Sequence, residues 1–183
     1  MIKCLREIYI YILKYIFKGE ENRMAKACSF TGHRQIKNAH LDNIVPLLER
    51  TINYAYEEGC RTFYTGGAVG FDTLAARAVI KFRLSHPDVR LVLCLPCVDQ
   101  DQGWSEAQKA AYAHTLSTAD EVIYARDTYT DGCMRERNFL LANRCDIMIA
   151  YVGKSKSGSS QTMRMADSMG KEILNIYPVL EDY

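Results

Sequence analysis

Arg61-Thr-Phe-Tyr-Thr65 runs straight into Gly66-Gly-Ala-Val-Gly70 and on into Phe71-Asp-Thr-Leu-Ala-Ala-Arg-Ala-Val-Ile80. The β-branched and aromatic run reads as a strand, the glycine cluster as a tight turn, and the alanine-rich segment as a helix. A strand that enters a helix through glycines is the first half of a βαβ unit. Its turn lets backbone approach a ligand closely, and the helix start offers unpaired N–H groups and a dipole that favours an anion. No Lys-Ser/Thr pair follows, so the turn is not a Walker A loop, and it lacks the strict G-x-G-x-x-G spacing.

The same alternation extends in both directions. Ala27-Cys-Ser-Phe-Thr31 predicts a buried first strand ended by Gly32. Leu41 to Glu58 carries Leu41, Ile44, Val45, Leu48, Ile52 and Ala55 at helical spacing. Val89 to Leu95 is a continuous apolar run, the pattern of a central parallel strand covered on both faces. Ser105 is a natural N-cap for a helix reaching Ser117. Glu121–Tyr124 and Asp146–Tyr151 predict strands, and Met134–Asn143 a helix. Gly153–Ser160 reads as a polar loop, Thr162–Met169 as the last helix and Glu172–Tyr177 as the last strand. The expected fold class is α/β: one Rossmann-like, doubly wound, mostly parallel sheet with helices on both faces.

Composition agrees with one soluble globular domain: 183 residues, 48% hydrophobic, 25% charged and a formal net charge of +1. No basic stripe of the kind that tracks duplex DNA is present, so nucleic acid is not the favoured partner. Seven cysteines, an odd number scattered beside apolar runs, predict reduced buried thiols and a cytoplasmic protein. Cys94-Leu-Pro-Cys97 is followed by Val98-Asp-Gln-Asp-Gln-Gly103, a loop and not the helix of a thioredoxin-like site; a structural role at a strand end is expected. No second ligand pair accompanies it, so neither a metal nor a cofactor is expected.

Residues 1–23 stand apart as an extension from the domain at 24–183. The apolar run Ile8–Phe17 is half the roughly 20 residues that a bilayer span needs. The sequence around Gly19-Glu-Glu-Asn-Arg23 offers no small-residue signal cleavage site. The readings are a stretch upstream of a natural start at Met24, an additional packing helix, or an interfacial helix. The first two are preferred, and no membrane partner is expected.

In doubly wound sheets, ligands bind beyond the carboxyl ends of the strands, where strand order reverses. Every unusual segment of this chain falls at such an end: Thr31-Gly32-His33-Arg34, Gly66 to Asp72, the loop reaching Trp104, and Gly153 to Thr162. Gly66, Gly67 and Gly70 are expected to contact a phosphate or ribose. Asp72 could serve as a helix cap, a ribose acceptor or a catalytic carboxylate. Gly32, His33 and Arg34 follow the first strand, and the planar guanidinium of Arg34 suits a phosphate. Gly158, Ser159, Ser160 and Thr162 form a second anion cradle before a helix. Trp104 either stacks on a base or anchors its loop. Arg135, Glu136, Arg137 and Asn138 open a helix at the same rim; two arginines there oppose the helix dipole and call for a local anion or an acidic partner.

Phe30-Thr-Gly-His-Arg34, Gly66-Gly-Ala-Val-Gly-Phe-Asp72, Pro96-Cys97, Trp104-Ser-Glu106, Gly132-Cys-Met-Arg-Glu-Arg-Asn138 and Gly158-Ser-Ser-Gln-Thr162 occur in one order. Together they resemble the YpsA-like members of the SLOG superfamily, over residues 26 to 177. The resemblance implies a Rossmann-like fold, a nucleotide-like ligand and a homodimer. Its related branches include LOG-type phosphoribohydrolases, the DNA-uptake protein DprA and domains that sense nucleotide-derived signals. LOG-type enzymes use an arginine in a Glu-Arg-Lys segment, which Glu136-Arg137 matches with Asn138 in place of the lysine. They also use a glutamate after a Gly-Gly-x-Gly-Thr loop; here Met163, Arg164 and Met165 follow Thr162, and the first carboxylate is Asp167. Glycosidic cleavage develops oxocarbenium character that a carboxylate stabilises, so Asp72 with Arg137 is the remaining catalytic pair if the chain is an enzyme. The favoured reading is a nucleotide-binding sensor or regulatory module. Nucleoside-monophosphate phosphoribohydrolase and DprA-like single-strand binding are the alternatives.

Overall fold

Every strand pairing in the sheet is parallel. The computed structural model describes residues 25–182, so the expectations for residues 1–23 lie outside the described residues. The strands are β1 (Lys26–Gly32), β2 (Cys60–Thr65), β3 (Arg90–Leu95), β4 (Glu121–Tyr124), β5 (Ile147–Tyr151) and β6 (Glu172–Asn175). Their order is β4-β3-β2-β1-β5-β6. Strand order therefore reverses between β1 and β5. The fold expected from the alternation is the one observed.

Helices α1 (Leu41–Glu57), α2 (Phe71–Arg83) and α3 (Glu106–Thr118) lie side by side over one face. Helices α4 (Cys133–Arg144) and α5 (Gly158–Ser168) pair on the other, and the short α6 (Ile176–Glu181) packs against α1 and β5. The main core lies under α1 and α2. There Phe30, Phe63, Phe71 and Leu91 are fully buried, each contributing roughly 1.5–3 kcal/mol of transfer free energy. On β5, Ile147, Ile149 and Tyr151 point into that core while Met148 joins Ala142, Cys145 and Ala166 beneath α4 and α5. Burial on both sides explains why this strand reads as an unbroken apolar run.

Two boundaries differ by more than one residue from the sequence reading. The last long helix starts at Gly158, because Ser157 caps it: its hydroxyl accepts from the Ser160 amide, and the Ser160 hydroxyl accepts from the Ser157 amide. The serine-glycine stretch is thus a helix start, with Ser-rich chemistry acting as a cap. The last strand stops at Asn175, whose side chain caps α6 by accepting from the Tyr177 amide. Pro178 falls in the first turn of α6, where no intrahelical N–H bond is forfeited. Ser105 is the N-cap expected of it and forms a capping box with Gln108. Among the described residues, no helix is long and apolar enough to cross a membrane, and no three His, Cys, Asp or Glu side chains converge as a metal site would require. Cys28, Cys60, Cys94, Cys97, Cys133 and Cys145 are free and buried.

Candidate functional site

A cavity of about 320 Å³ opens where β1 and β5 diverge. It is lined by Thr31, Gly32, His33 and Arg34 after β1, by Ala68 and Asp72 from the β2–α2 turn, by Met134, Arg137, Asn138 and Leu141 of α4, and by Ser157, Gly158 and Ser159 at the start of α5. Its size is at the lower end of the roughly 300–1,000 Å³ of small-molecule sites. Two larger grooves lie on the helical faces. One, of about 710 Å³, runs between α1 and α2; the other, of about 660 Å³, is lined chiefly by apolar side chains such as Tyr124, Phe139 and Met165. The smaller cavity is the one that combines the topological switch point, two helix N-termini and two arginines.

The β2–α2 turn is held from within. Gly70 precedes α2 with φ of +86°, and a Cβ there would run into the backbone of Arg34. The Phe71 amide donates to the His33 carbonyl at 3.1 Å, so the turn and the segment after β1 lock together. The Ala68 amide donates to Asp72 Oδ2 at 3.3 Å, and Thr73 Oγ1 to the Ala68 carbonyl at 3.0 Å. Asp72 is only 6% exposed. Burial, against the opposing pull of Arg137, pushes its carboxyl up to about 6.

Arg137 reaches from α4 across to the end of β2. Its Nη1 donates to the Gly66 carbonyl at 2.9 Å, and its Nε to Asn138 Oδ1 at 2.9 Å. Burial lowers the guanidinium's pKa, with Asp72 pulling the other way; an arginine remains charged regardless. Its neighbour Glu136 turns outward and takes both forks of Arg126, at 2.7 and 2.8 Å. Arg137 therefore turns from the helix start to the Gly66 carbonyl, within the field of the buried Asp72 carboxyl.

His33 acts as a bracket. Its Nε2 accepts from the amides of Gly153 at 2.9 Å and Lys154 at 3.3 Å. That leaves the proton on Nδ1, which faces Ser159 Oγ at 3.3 Å. Burial first, then the Lys154 charge, holds its pKa below the ordinary value. The segment after β1 is thereby tied to the one after β5.

The cavity gathers Gly32, His33, Arg34, Asp72, Arg137, Asn138, Gly158 and Ser159 of the residues singled out in the sequence. Others lie elsewhere. Gly66 and Gly67 sit behind the wall, where the first presents its carbonyl to Arg137 and the second packs under Leu95 and Tyr112. Ser160 and Thr162 turn into α5, the latter donating to the Gly158 carbonyl at 3.0 Å. Trp104 packs on Tyr112, ring centroids 5.3 Å apart, against Leu93 and Leu95, and does not line the cavity. Arg164 donates to the Ser155 carbonyl at 2.8 Å and braces the loop from outside. The candidate residues drawn from the sequence lacked Thr31, Ala68, Met134, Leu141 and Ser157; Ser157, a serine three residues before another hydroxyl at a helix start, carried a readable signal.

A doubly wound parallel sheet with a polar cavity at its switch point defines a Rossmann-like domain with a ligand-type crevice. The chain belongs to the YpsA family, described as the YspA SLOG family, whose model matches residues 30–178. Among curated proteins it is 26% identical over 151 residues to the uncharacterized SPbeta prophage-derived protein YoqJ of Bacillus subtilis (strain 168), covering 75% of this chain and 86% of that protein. It is also 26% identical over 161 residues to a UPF0398 protein of Bacillus thuringiensis (strain Al Hakam), covering 83% and 88%. Among solved structures it resembles DNA processing protein A (DprA) of Streptococcus pneumoniae, with a TM-score of 0.59 at 18% identity. DprA of Helicobacter pylori gives 0.58 at 18% identity. Each match covers 81% of this chain, but only 49% and 64% of the respective DprA chains, so the likeness concerns the shared fold.

Proposed function

We propose that the chain is a binding module for a nucleotide or nucleotide-derived ligand, seated with its phosphate in the cavity between β1 and β5. The observation that carries this reading is the convergence of the α2 and α5 starts with Arg34 and Arg137 on one crevice. First-turn amides have no intrahelical partner; those of Phe71 and Ser160 are taken by the His33 carbonyl and the Ser157 hydroxyl, and a phosphate at the two helix starts profits from the remaining amides and from both dipoles. Arg34 is exposed and makes no ion pair among the described residues, so its fork is free for an anion. Membership of the SLOG family supports the same reading. Pairing as a homodimer belongs to it as well, and sedimentation would read that directly.

One observation favours the enzymatic alternative. Asp72, held at about 6 beside Arg137, is a carboxyl poised to move a proton near neutral pH. Against it, α5 brings no carboxylate to the cavity, because Arg164 occupies the relevant turn and braces Ser155. Single-stranded DNA binding, which the Helicobacter pylori DprA structure describes for that protein, is less favoured here, since a formal charge of +1 supplies little for a phosphate backbone. Mass spectrometry of a panel of nucleoside monophosphates, NAD and ADP-ribose incubated with the protein separates these readings. An intact nucleotide retained by wild type and lost in Arg34→Ala is the expected result. Free base released by wild type and not by Asp72→Asn would make the chain a hydrolase instead.

A further inference from the structure

A second cleft, of about 580 Å³, adjoins the cavity through His33, Arg34 and Ser157. Its other walls are Gln35, Ile36, Lys37, Lys154, Lys156 and Tyr177. Of its four cations only Lys37 is neutralised, by Glu181 at 2.6 Å. Arg34, Lys154 and Lys156 make no ion pair among the described residues. Three uncompensated positive charges on one small concave surface repel one another, an arrangement that an anion relieves. The backbone that carries the lysines is held: His33 accepts from the Lys154 amide at 3.3 Å and the Gly153 amide at 2.9 Å, while Arg164 ties the Ser155 carbonyl at 2.8 Å. The lysine loop is thus anchored on both sides of Lys154. Lys154 and Lys156 line only this outer cleft and not the inner cavity.

We infer that the natural ligand carries further phosphate beyond the one in the inner cavity, so that the module selects a nucleoside polyphosphate or diphosphate conjugate over a monophosphate. This rests on the nucleotide-binding reading above. Arg34, common to both compartments, bridges the inner and outer phosphates, and Lys154 and Lys156 take the outer charge. A small polyphosphate fits these observations better than a nucleic acid strand, because Arg34, Lys154 and Lys156 share one cleft, and Lys37 on its wall is neutralised by Glu181.

The test is isothermal titration of the mono- and triphosphates of adenosine, guanosine, cytidine and uridine, in EDTA, against wild type and the Lys154→Ala/Lys156→Ala double variant. Both lysines are exposed, so the variant is expected to melt with wild type. The expected result is a triphosphate bound about tenfold or more tighter than its monophosphate. That advantage should be lost in the double variant while monophosphate affinity is unchanged. Equal affinity for the two, with monophosphates still binding, overturns the inference and leaves the nucleotide-binding reading standing. Failure of all eight nucleotides, and of NAD and ADP-ribose in the same titration, to bind removes both. A single-stranded oligonucleotide that binds more tightly than every triphosphate, and loses that affinity in the double variant, assigns the cleft to nucleic acid and overturns the inference also.

Discussion

The guanidinium of Arg137 and the carboxylate of Asp72 converge on Gly66 from two different helices. A Cβ at Gly66 would strike the first and come within 2.7 Å of Asp72 Oδ2. Arg137 Nη1 fills the space that a side chain would take and bonds the Gly66 carbonyl beside it. The glycine is required by what packs against it, since its φ is not among the positive ones.

Gly66→Ala is therefore expected to evict Arg137 from its berth. Overpacking of this kind costs about 1–3 kcal/mol, and nucleotide binding should fall with it. Gly158→Ala is the control, because a Cβ there would meet only Asn138 Nδ2, at 3.9 Å. Urea denaturation of the two variants side by side checks the contrast; equal stabilities would mean that Arg137 relocates at no cost.

Asp72 gives the fold a pH dependence of defined sign. Folded, its carboxyl keeps a proton up to about pH 6; unfolded, it releases that proton near pH 4. Between those values the folded state binds more protons, so this group's contribution to stability falls as pH rises, by up to about 3 kcal/mol. Asp72→Asn escapes that loss. The variant should gain on wild type from about pH 4 to about pH 6 and hold a constant difference above about pH 7. A difference that stays flat throughout would show that the carboxyl is ionised across the range.

Loss of the His33 bracket should be felt in the loop after β5 and hardly elsewhere. His33→Ala removes the acceptor of the Gly153 and Lys154 amides, at a cost of about 1–2 kcal/mol. Hydrogen exchange at those two amides should accelerate while β1 and β2 remain protected. Because the folded-state pKa of His33 is lowered, this bracket weakens as pH falls below the ordinary histidine range, and the same amides should report it in wild type.

The thiols should be inert. Burial pushes Cys94 and Cys97 up to about 11 and Cys60 up to about 12, and all three are at most 1% exposed. A thiol-specific reagent under native conditions should label none of the six described cysteines until denaturant is added. Rapid native labelling of Cys94 or Cys97 would restore a redox role to that pair.

The sequence alone determined the order and type of most elements, because a strand buried on both faces and an amphipathic helix each demand their own apolar spacing. It also marked the rim of the crevice: glycines, serines and arginines clustered at strand ends can be read without coordinates, since parallel topology sends those ends to one side of the sheet. It misplaced the start of α5 and the end of β6, where hydroxyl and amide caps act over three residues and override apolar periodicity.

What only the tertiary structure decided is which of these residues share a surface. Nothing local to Arg137 says that it crosses to the Gly66 carbonyl, and nothing local to Trp104 says that it turns onto Tyr112. Nor does the segment around His33 show that its ring faces amides some 120 positions further along the chain. Side-chain spacing is set within a few residues of backbone, whereas the neighbours across a crevice are set by which strands lie together, and here β1 lies beside β5.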